Sequence, residues 1–466
     1  MATLTSVVRL PQGRSVHPSI LRAVAWVAAA GVVVKLAATA KEIAVAGVYG
    51  RSDAMDAFLA AALVPALLVN LISESMNQAL VPTLVRVREL EGREPARQLL
   101  SNSMVCLSLL LGAVSVLMAI SARGLFPLIA SHFPAAKQAL AIQLFLGLLP
   151  MILVAGIASN CTTVLNTLDR FALPALAPVL IPLTIVAGVL TLGARLGIWA
   201  MVYSTLAGSL AHALLVVFLM NAHGYRLRLR WYGMTEATRE VARQYAPLLL
   251  SSVVASGGLL VDQSMAAMLP AGSVAALAYG NRFVSVVLAL FAGAVSTVLT
   301  PHFSRLIAVG DWPGCRQTVR HWIRLTTLVS VPVAVLLIAA SRGLVSLAFQ
   351  HGAFGPRDTA VVASVMAMYA VQIPFFVASR VFYRFIVAVR RTGLILYCGT
   401  INLLLDVVLN IVLMRWLGVA GIALATSLWT VSTFLFLWYW TWKLLPHPAA
   451  PSSAPNDPAE TTSQSR

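Results

Sequence analysis

The sequence has very few charged residues. Only 11% of its 466 residues are Asp, Glu, Lys or Arg, whereas 59% are hydrophobic and the mean hydropathy is +0.86. A typical soluble domain is about 25% charged. The apolar runs approach about 20 residues, which is the length of a helix that crosses a bilayer and about twice that of a membrane β-strand. The sequence therefore predicts an integral membrane protein built from helices.

Several chemical signatures are also missing. The four cysteines form no CxxC pair and have no histidine cluster near them, so we expect no metal site and no disulfide. There is no GxxxxGK[ST] loop for ATP hydrolysis, and no spacing suggests a Ser/His/Asp triad, so we expect no enzyme and no bound cofactor. The opening of the chain, up to Arg22, is polar and basic, without the apolar core of a cleavable signal peptide.

The apolar segments predict twelve spans in two lobes of six. We expect a cytoplasmic tail at 1–23, an N-terminal lobe at 24–221, a basic linker at 222–243, a C-terminal lobe at 244–445 and a disordered tail at 446–466. The predicted spans are 24–48, 55–81, 100–121, 138–164, 173–194, 197–220, 245–269, 274–300, 320–340, 360–386, 393–414 and 418–443.

The distribution of basic residues predicts the orientation of these spans. The two tails and the loops that follow even-numbered spans hold 21 of the 33 Lys and Arg residues, whereas the opposite loops hold seven. Cytoplasmic loops of membrane proteins carry such an excess of basic residues. We therefore place both termini in the cytoplasm. The net charge of +17 has the same explanation, and no nucleic-acid partner is expected.

Short motifs of the first half recur in the second half at a nearly constant offset. Arg123-Gly-Leu125 recurs as Arg342-Gly-Leu344, and Leu196-Gly197 recurs as Leu417-Gly418. Two further matches, at 82–86 and 301–305 and at 158–159 and 378–379, keep the same register. Six spans per repeat give both halves the same orientation, as in transporters whose substrate site lies between two parallel repeats. The predicted fold is an all-α polytopic bundle of two six-helix repeats around a central cavity.

Charged and polar residues inside the predicted spans mark candidate sites, because an unpaired charge in a bilayer costs at least about 3 kcal/mol. The first two spans contain Lys35, Lys41, Glu42, Asp56, Asn70, Glu74 and Asn77. The second half contains Asp262, Gln263, Asn281, Arg282, Gln372, Arg380, Arg384, Asn402, Asp406 and Asn410. For the amides, interhelical hydrogen bonds are the favoured explanation. For Asp406, a structural and a functional role are equally supported, and Arg380 or Arg384 is a candidate partner.

The stretch from Lys35 to Pro82 resembles the murein-precursor (lipid II) flippases, the MurJ/MviN family of the multidrug/oligosaccharidyl-lipid/polysaccharide exporter superfamily. The matching motifs are Lys35 with Lys41-Glu42, Asp56-Ala-Phe58, Pro65-x-Leu67-Leu68, Glu74, Gln78-Ala-Leu-Val-Pro82, Tyr279-Gly-Asn-Arg282 and Phe349-Gln-His-Gly-Ala-Phe354. The chain differs from the family in three ways. It has Lys in place of Arg in the first span, it has Asn70 where the family places Arg, and it contains twelve spans where the family tends to carry two more.

The resemblance implies a flippase in the bacterial cytoplasmic membrane. Its cargo would be lipid II or a related polyprenyl-pyrophosphate-linked oligosaccharide, moved from the inner to the outer leaflet by alternating access. Two groups of residues would serve it. Those expected to bind the cargo are Lys35, Lys41, Arg282, Asn70, Asn77 and Asn281. The carboxylates expected to couple transport to H+ or Na+, or to be structural, are Glu42, Asp56, Glu74, Asp262 and Asp406.

Two other functions remain open. An ion-coupled exporter of small cationic molecules would need an anionic cavity, which the basic residues of the spans disfavour. A scaffold that does not transport, within a complex of membrane proteins that synthesise glycans, would carry the same charges without moving a lipid. The bilayer and a lipid-linked glycan are the expected partners.

The orientation is tested by labelling with a membrane-impermeant thiol reagent. Single cysteines placed beside Arg123 and Arg195 should react in sealed cells, whereas cysteines beside Arg93 and Arg239 should react only after the membrane is opened. Reaction of the last two positions in sealed cells would reverse the topology.

Overall fold

The described residues fold into helices joined by short connections. The computed structural model describes residues 18–168, 172–224, 229–389 and 391–445, and within these it contains fifteen α-helices, one 3₁₀ turn and no β-strand. Their bounds are α1 (Pro18–Tyr49), α2 (Asp53–Leu90), α3 (Arg93–Ile129), α4 (Ala135–Leu148), α5 (Pro150–Thr167), α6 (Ala172–Leu176), the 3₁₀ turn (Ala177–Val179), α7 (Leu180–Leu196), α8 (Trp199–Ala222), α9 (Glu236–Ala266), α10 (Ser273–Ala308), α11 (Trp312–Phe349), α12 (Pro356–Ala370), α13 (Ile373–Ala388), α14 (Gly393–Leu417) and α15 (Val419–Leu444). Both predicted tails lie wholly or largely outside this part of the chain.

These helices form twelve consecutive segments, and each predicted span overlaps one of them. Three segments consist of more than one helix: α4 with α5, α6 with α7, and α12 with α13. Prolines at 150 and 374 lie in the first turn of α5 and α13, where a missing N–H is tolerated. In the described part of the chain, ten segments are long and apolar enough to cross a membrane. The other two segments, α1 and α9, include residues whose side chains lie outside the described part of the chain. An all-α polytopic architecture is confirmed.

Several helices are longer than the predicted spans. The helices α2 and α11 have 38 residues each and α10 has 36, so each extends more than about 50 Å, well beyond a hydrocarbon core of about 30 Å. The additional turns carry Arg86 and Arg88 in α2 and Arg305 in α10. Hydropathy reveals only the apolar part of such a helix, because its polar ends leave the bilayer.

The predicted repeat is visible in the helix boundaries. The helices α3 and α11 begin at Arg93 and Trp312, while α7 and α14 end at Leu196 and Leu417, so both pairs of boundaries are separated by nearly the same stretch of chain. The glycines that follow α7 and α14 share one backbone conformation, with φ of 55° at Gly197 and 58° at Gly418. A left-handed φ favours glycine because it has no Cβ. The two repeats therefore stop equivalent helices in the same way.

The two repeats contact each other at the end of the bundle that carries Arg51, which we call the Arg51 end. The turn between α1 and α2 lies against the C-terminal repeat there. The Ala353 amide donates to the Gly47 carbonyl at 2.8 Å, and the Arg51 guanidinium contacts both the Gly272 carbonyl (3.0 Å) and Asp358 (3.2 Å). A Cβ at Gly352 would collide with the Gly47 carbonyl, so the close approach requires glycine. The Arg51 end is closed.

The opposite end, which carries the basic linker, is held differently, and we call it the basic end. Here α2 packs along α9, with an ion pair between Arg86 and Glu240. The same two helices touch again near their middle, where the hydroxyls of Ser75 and Ser252 lie 3.2 Å apart. The described part of the linker is fixed to α3, because the Asn102 side chain accepts from the Tyr232 amide (2.8 Å) and donates to the Gly233 carbonyl (2.8 Å). The expected division at 222–243 remains a prediction.

The outer surface of the bundle is apolar. Leucine, isoleucine and valine side chains are exposed along whole helices, including Leu109, Leu117 and Ile120 on α3 and Leu328 and Leu336 on α11. Contiguous apolar surface of this extent is rare on soluble monomers. It is the surface that lipid chains cover in a membrane protein.

Candidate functional site

A cavity of about 610 Å³ lies inside the C-terminal repeat, among α9, α10, α12, α13, α14 and α15. The polar residues that line it come from several of these helices. They are Asp262, Gln263, Asn281, Ser285, Gln372, Asn402, Asp406 and Thr426. Its walls also include Tyr369, Phe376 and Trp429 and several leucines. Pockets of this size and composition bind small molecules or molecular fragments.

Two carboxyl groups on different helices meet at this cavity. Asn410 donates from one amide nitrogen to Asp262 at 2.8 Å and to Asp406 at 3.3 Å. Thr426 donates to the other oxygen of Asp262 at 3.0 Å. The spacing of Asn402, Asp406 and Asn410 at every fourth residue puts all three on one face of α14. α9, α14 and α15 thus converge on one acidic centre.

Acceptor atoms at this centre outnumber the donors. Asp406 is only 2% exposed, and within the described residues its Oδ2 has no hydrogen-bond partner. The same is true of the side-chain oxygens of Asn402, Asn410 and Gln263. Asn402 uses its amide nitrogen to donate to Thr433 at 2.7 Å, which orients the oxygen away from that contact. Buried acceptors without donors are rare, so this centre is suited to receive a proton or a cation.

No Lys or Arg lines the described cavity, and Asp406 does not pair with either of the arginines suggested for it. Arg384 instead donates to Ser296 at 2.7 and 3.1 Å. Arg380 lies over the ring of Phe376, 4.2 Å from its centroid, and its Nε has no hydrogen-bond partner among the described residues. Arg380 thus contacts an aromatic residue of the cavity wall.

The cations predicted to bind the cargo lie outside this cavity. Lys35 is exposed on α1, and Lys41 forms an ion pair of 2.7 Å with its neighbour Glu42. Arg282 is half-buried on α10, and among the described residues its Nε and Nη2 have no hydrogen-bond partner. It follows Asn281, which does line the cavity. The structure does not bring these three cations into one described pocket, and their role remains a prediction.

The polar residues Asn70, Glu74 and Asn77, which lie on one stripe of α2 by their spacing, are only partly described. Asn70 is exposed, and Asn77 donates to Ser159 of α5 at 3.5 Å while its own side-chain oxygen has no partner in the described structure. The side chain of Glu74 lies outside the described part of the chain. Its expected role as a coupling or structural carboxylate therefore stays a prediction.

Asp56 lies at the Arg51 end, far along α2 from that stripe, and joins the two repeats. It is 1% exposed and accepts from the backbone amides of Gly272 (2.6 Å) and Ala275 (2.9 Å) at the start of α10. It also pairs with Lys137 of α4 at 3.0 Å. Unpaired amides and the helix dipole make the first turn of a helix favourable for a carboxylate. The structure thus places Asp56 as a link between three helices.

Sequence reasoning missed Lys137 and Thr426. Lys137 lies between the predicted third and fourth spans, yet it is buried between Asp56 and Asp53 (2.7 Å) and lies over the ring of Phe133. Few basic residues lie on that side of the membrane, and this rarity could have marked Lys137 as a residue with a specific partner. Thr426 belongs to a row with Thr430 and Thr433 on α15, at helical spacing, that could have been recognised.

The comparisons with known proteins point in one direction. A family model described as "Lipid II flippase MurJ" matches residues 45–452. A "Probable lipid II flippase MurJ" of Synechocystis sp. is 25% identical over 92% of this chain and 83% of its own length. A "Lipid II flippase MurJ" of Burkholderia cenocepacia is 25% identical over 76% of this chain and 70% of its own length.

Two solved structures share the fold. One is a lipid II flippase MurJ in an inward closed conformation, with a TM-score of 0.78, 24% identity and coverage of 90% of this chain and 88% of that one. The other is an inward-facing multidrug transporter of the MATE family, with a TM-score of 0.75, 15% identity and coverage of 88% and 94%. An outward-facing MATE transporter scores lower, at 0.61.

The link at Asp56 gives a stability prediction. Replacing Lys137 by Ala leaves the Asp56 carboxylate buried without its cation, and such a loss destabilises proteins by about 3–5 kcal/mol. We expect a clearly lower melting temperature for the purified Lys137→Ala protein in detergent. The control is Glu94→Gln, which breaks an exposed pair with Arg97 and should change the melting temperature little. Equal melting of the two variants would show that the Asp56 pair does not stabilise the bundle.

Proposed function

The chain belongs to the MurJ family of lipid II flippases, and from this membership we propose that it moves a polyprenyl-pyrophosphate-linked cell-wall precursor from the inner to the outer leaflet. The protein is a multi-pass protein of the bacterial inner membrane. The single observation that carries the proposal is the match of the family model to residues 45–452, which spans both repeats. Alternating access between the repeats is the mechanism that suits this architecture.

The closed Arg51 end supports the expected orientation. The repeats contact each other there through Gly47, Arg51 and Asp56, and the fold is more similar to inward conformations of its relatives than to an outward one. In an inward conformation the closed end faces the outside of the cell. That assignment puts the basic end and both termini in the cytoplasm, in agreement with the excess of Lys and Arg at the basic end.

The pyrophosphate of the cargo needs positive charge, and Lys35, Lys41 and Arg282 are the cations we propose for it. Lys35 is exposed on α1, whose neighbours Val32, Val33 and Leu36 are exposed too. A cargo whose prenyl chain stays in lipid can reach such a position. The guanidinium of Arg282 has two nitrogens without partners among the described residues, and such nitrogens can donate to a phosphate. Lys41 would then release Glu42 and pair with the pyrophosphate of the cargo instead.

The acidic centre of the C-terminal repeat is our proposed coupling site. Asp262 and Asp406 meet through Asn410, and acceptors without partners in the described structure surround them. Binding of H+ or Na+ there neutralises charge that the described residues leave uncompensated. A group that binds the ion more tightly in one conformation than in the other transfers the energy of the gradient to the conformational change. α9, α14 and α15 all contribute, so a change in their packing would alter the affinity for the ion.

The cargo site is tested by three substitutions. Lys35→Ala, Lys41→Ala and Arg282→Ala should each abolish growth of a strain that depends on this protein as its only lipid II flippase, because each removes a cation from the pyrophosphate. Membrane expression should be normal. Arg123→Ala, which removes the same charge from an exposed position at the Arg51 end, is the control and should support growth. If all three variants support full growth, these cations do not bind the cargo.

The coupling site is tested in proteoliposomes with an imposed H+ or Na+ gradient. Asp262→Asn and Asp406→Asn should still expose the lipid-linked precursor in the opposite leaflet, at a rate that no longer depends on the gradient. Glu74→Gln is the corresponding substitution in the N-terminal repeat, and Asp311→Asn at the start of α11 is the control for loss of a carboxylate. If both Asp variants keep full gradient dependence, the acidic centre is not the coupling site. If only Glu74→Gln loses this dependence, the coupling site lies on α2.

A further inference from the structure

The cavity in the C-terminal repeat is much larger than an inorganic ion requires. A water molecule occupies about 30 Å³ of liquid volume, so 610 Å³ corresponds to about twenty waters. A proton or a sodium ion at the acidic centre leaves most of this space unfilled. The volume falls in the range of about 300–1,000 Å³ that is typical of sites for organic ligands.

The walls of the cavity are mostly apolar and aromatic. Leu259, Leu277 and Leu403 line it together with Trp429 and Phe376. Apolar walls gain free energy when they bind an organic body, because that body displaces water from them. Aromatic faces add a specific preference, since the negative face of an indole or phenyl ring attracts a cation within about 6 Å of its centre. An apolar ligand that carries positive charge suits such walls.

The charge of the lining has one sign. Asp262 and Asp406 are the carboxylic acids among the residues that line the cavity, and neither Lys nor Arg is among these lining residues. Arg380 contacts the wall, where it lies over the ring of Phe376. A positive group on a ligand is therefore directed away from Phe376 and toward the acidic centre.

The acidic centre also has free hydrogen-bonding capacity. Asp406, 2% exposed, and Asn402, 9% exposed, both line it, and each has a side-chain oxygen without a partner among the described residues. An ammonium group has no hydrogen-bond acceptor. It can donate hydrogen bonds to such oxygens or, when it carries no N–H, attract them through its positive charge. This observation is independent of the volume and of the aromatic walls.

We propose that this cavity binds the ammonium group of an organic molecule, with its cationic head at Asp262 and Asp406 and its apolar body against Trp429 and the leucines. The same chemistry has two sources. One is an amine on the head group of the lipid-linked cargo, and this source rests on the proposed flippase function. The other is a free organic cation, which does not depend on that function.

The first experiment measures binding of a free ammonium ion. Purified protein in lipid nanodiscs is titrated with benzyltrimethylammonium, and the neutral isostere neopentylbenzene, in which carbon replaces nitrogen, is the comparison. Empty nanodiscs correct for partition into lipid. We expect saturable binding of the ammonium ion, weakened by Na+ because both compete for the same carboxylates, and at least about tenfold weaker binding of the isostere.

Variants of the cavity locate the binding site. Asp406→Asn and Asp262→Asn should each weaken ammonium binding by at least about tenfold, and Trp429→Leu should weaken it through loss of the aromatic face. Asp311→Asn removes the same charge from an exposed position at the start of α11 and should bind as the wild type does. Thermal melting checks that each variant is folded, and Trp429→Leu serves if an Asp variant does not fold.

The second experiment separates the two sources. Lipid-linked precursor with a free amine is compared with the same precursor after N-acetylation, on wild type and on Asp406→Asn. If acetylation weakens binding to the wild type only, the cargo amine occupies the cavity. If acetylation has no effect while benzyltrimethylammonium binds, the ligand is a free cation, and the proposal stands even if flipping of this cargo fails. The proposal is overturned if the neutral isostere binds as tightly, if Asp406→Asn and Asp262→Asn bind normally, or if Na+ alone binds.

Discussion

The absence of water from the bilayer core is the constraint on which this structure depends, because every buried polar group must then find its partner within the protein. At the Arg51 end this condition is met closely. Asp56 accepts from two backbone amides of α10 and pairs with Lys137, and Arg51 bridges to Asp358 and the Gly272 carbonyl. In the C-terminal repeat it is met incompletely, since oxygens of Asn402, Asp406 and Asn410 have no partners in the described structure. The region at the Arg51 end is suited to holding helices together, and the acidic centre is suited to binding a proton or a cation.

The two repeats share helix boundaries but differ in polar content. When the ends of α7 and α14 are aligned at Leu196 and Leu417, Asn402, Asp406 and Asn410 of α14 correspond to Ile181, Ile185 and Val189. One repeat thus has an acidic face where the other has an apolar one, while both end the helix at a glycine with nearly the same φ. A duplicated helix can keep its boundaries and packing while its interior positions diverge, because capping and interior polarity depend on different residues. The two repeats are therefore asymmetric in the polarity of this face.

The contacts between the repeats divide into two kinds. At the Arg51 end they join short connections through close backbone approaches, including those that require Gly352. From the middle of the bundle to the basic end they join the sides of the long helices α2 and α9, through the Ser75–Ser252 hydroxyl contact and the exposed Arg86–Glu240 ion pair. The backbone contacts of a turn are all lost together when the turn moves away. Two helices that pack along their sides can instead slide or tilt against each other while they stay in contact. Rocking of the repeats about the α2–α9 contact would open one end while the other closes.

The sequence by itself determined the membrane class, the twelve segments and the duplication, because the hydropathy of a span and the short motifs at helix ends are local properties. It also identified Asp262, Asn402, Asp406 and Asn410 as buried polar groups, since any charge or amide within an apolar span stands out. Only the tertiary structure decided their partners. Asp56 and Lys137 are 81 residues apart and meet because α2 packs on α4, and Asp262 meets Asn410 across 148 residues. No local pattern specifies such distances. For the same reason the sequence could not decide where the predicted cargo cations lie relative to one another, and their role stays a prediction. The packing of α9, α14 and α15 forms an acidic cavity within one repeat, while Lys35 is exposed on α1.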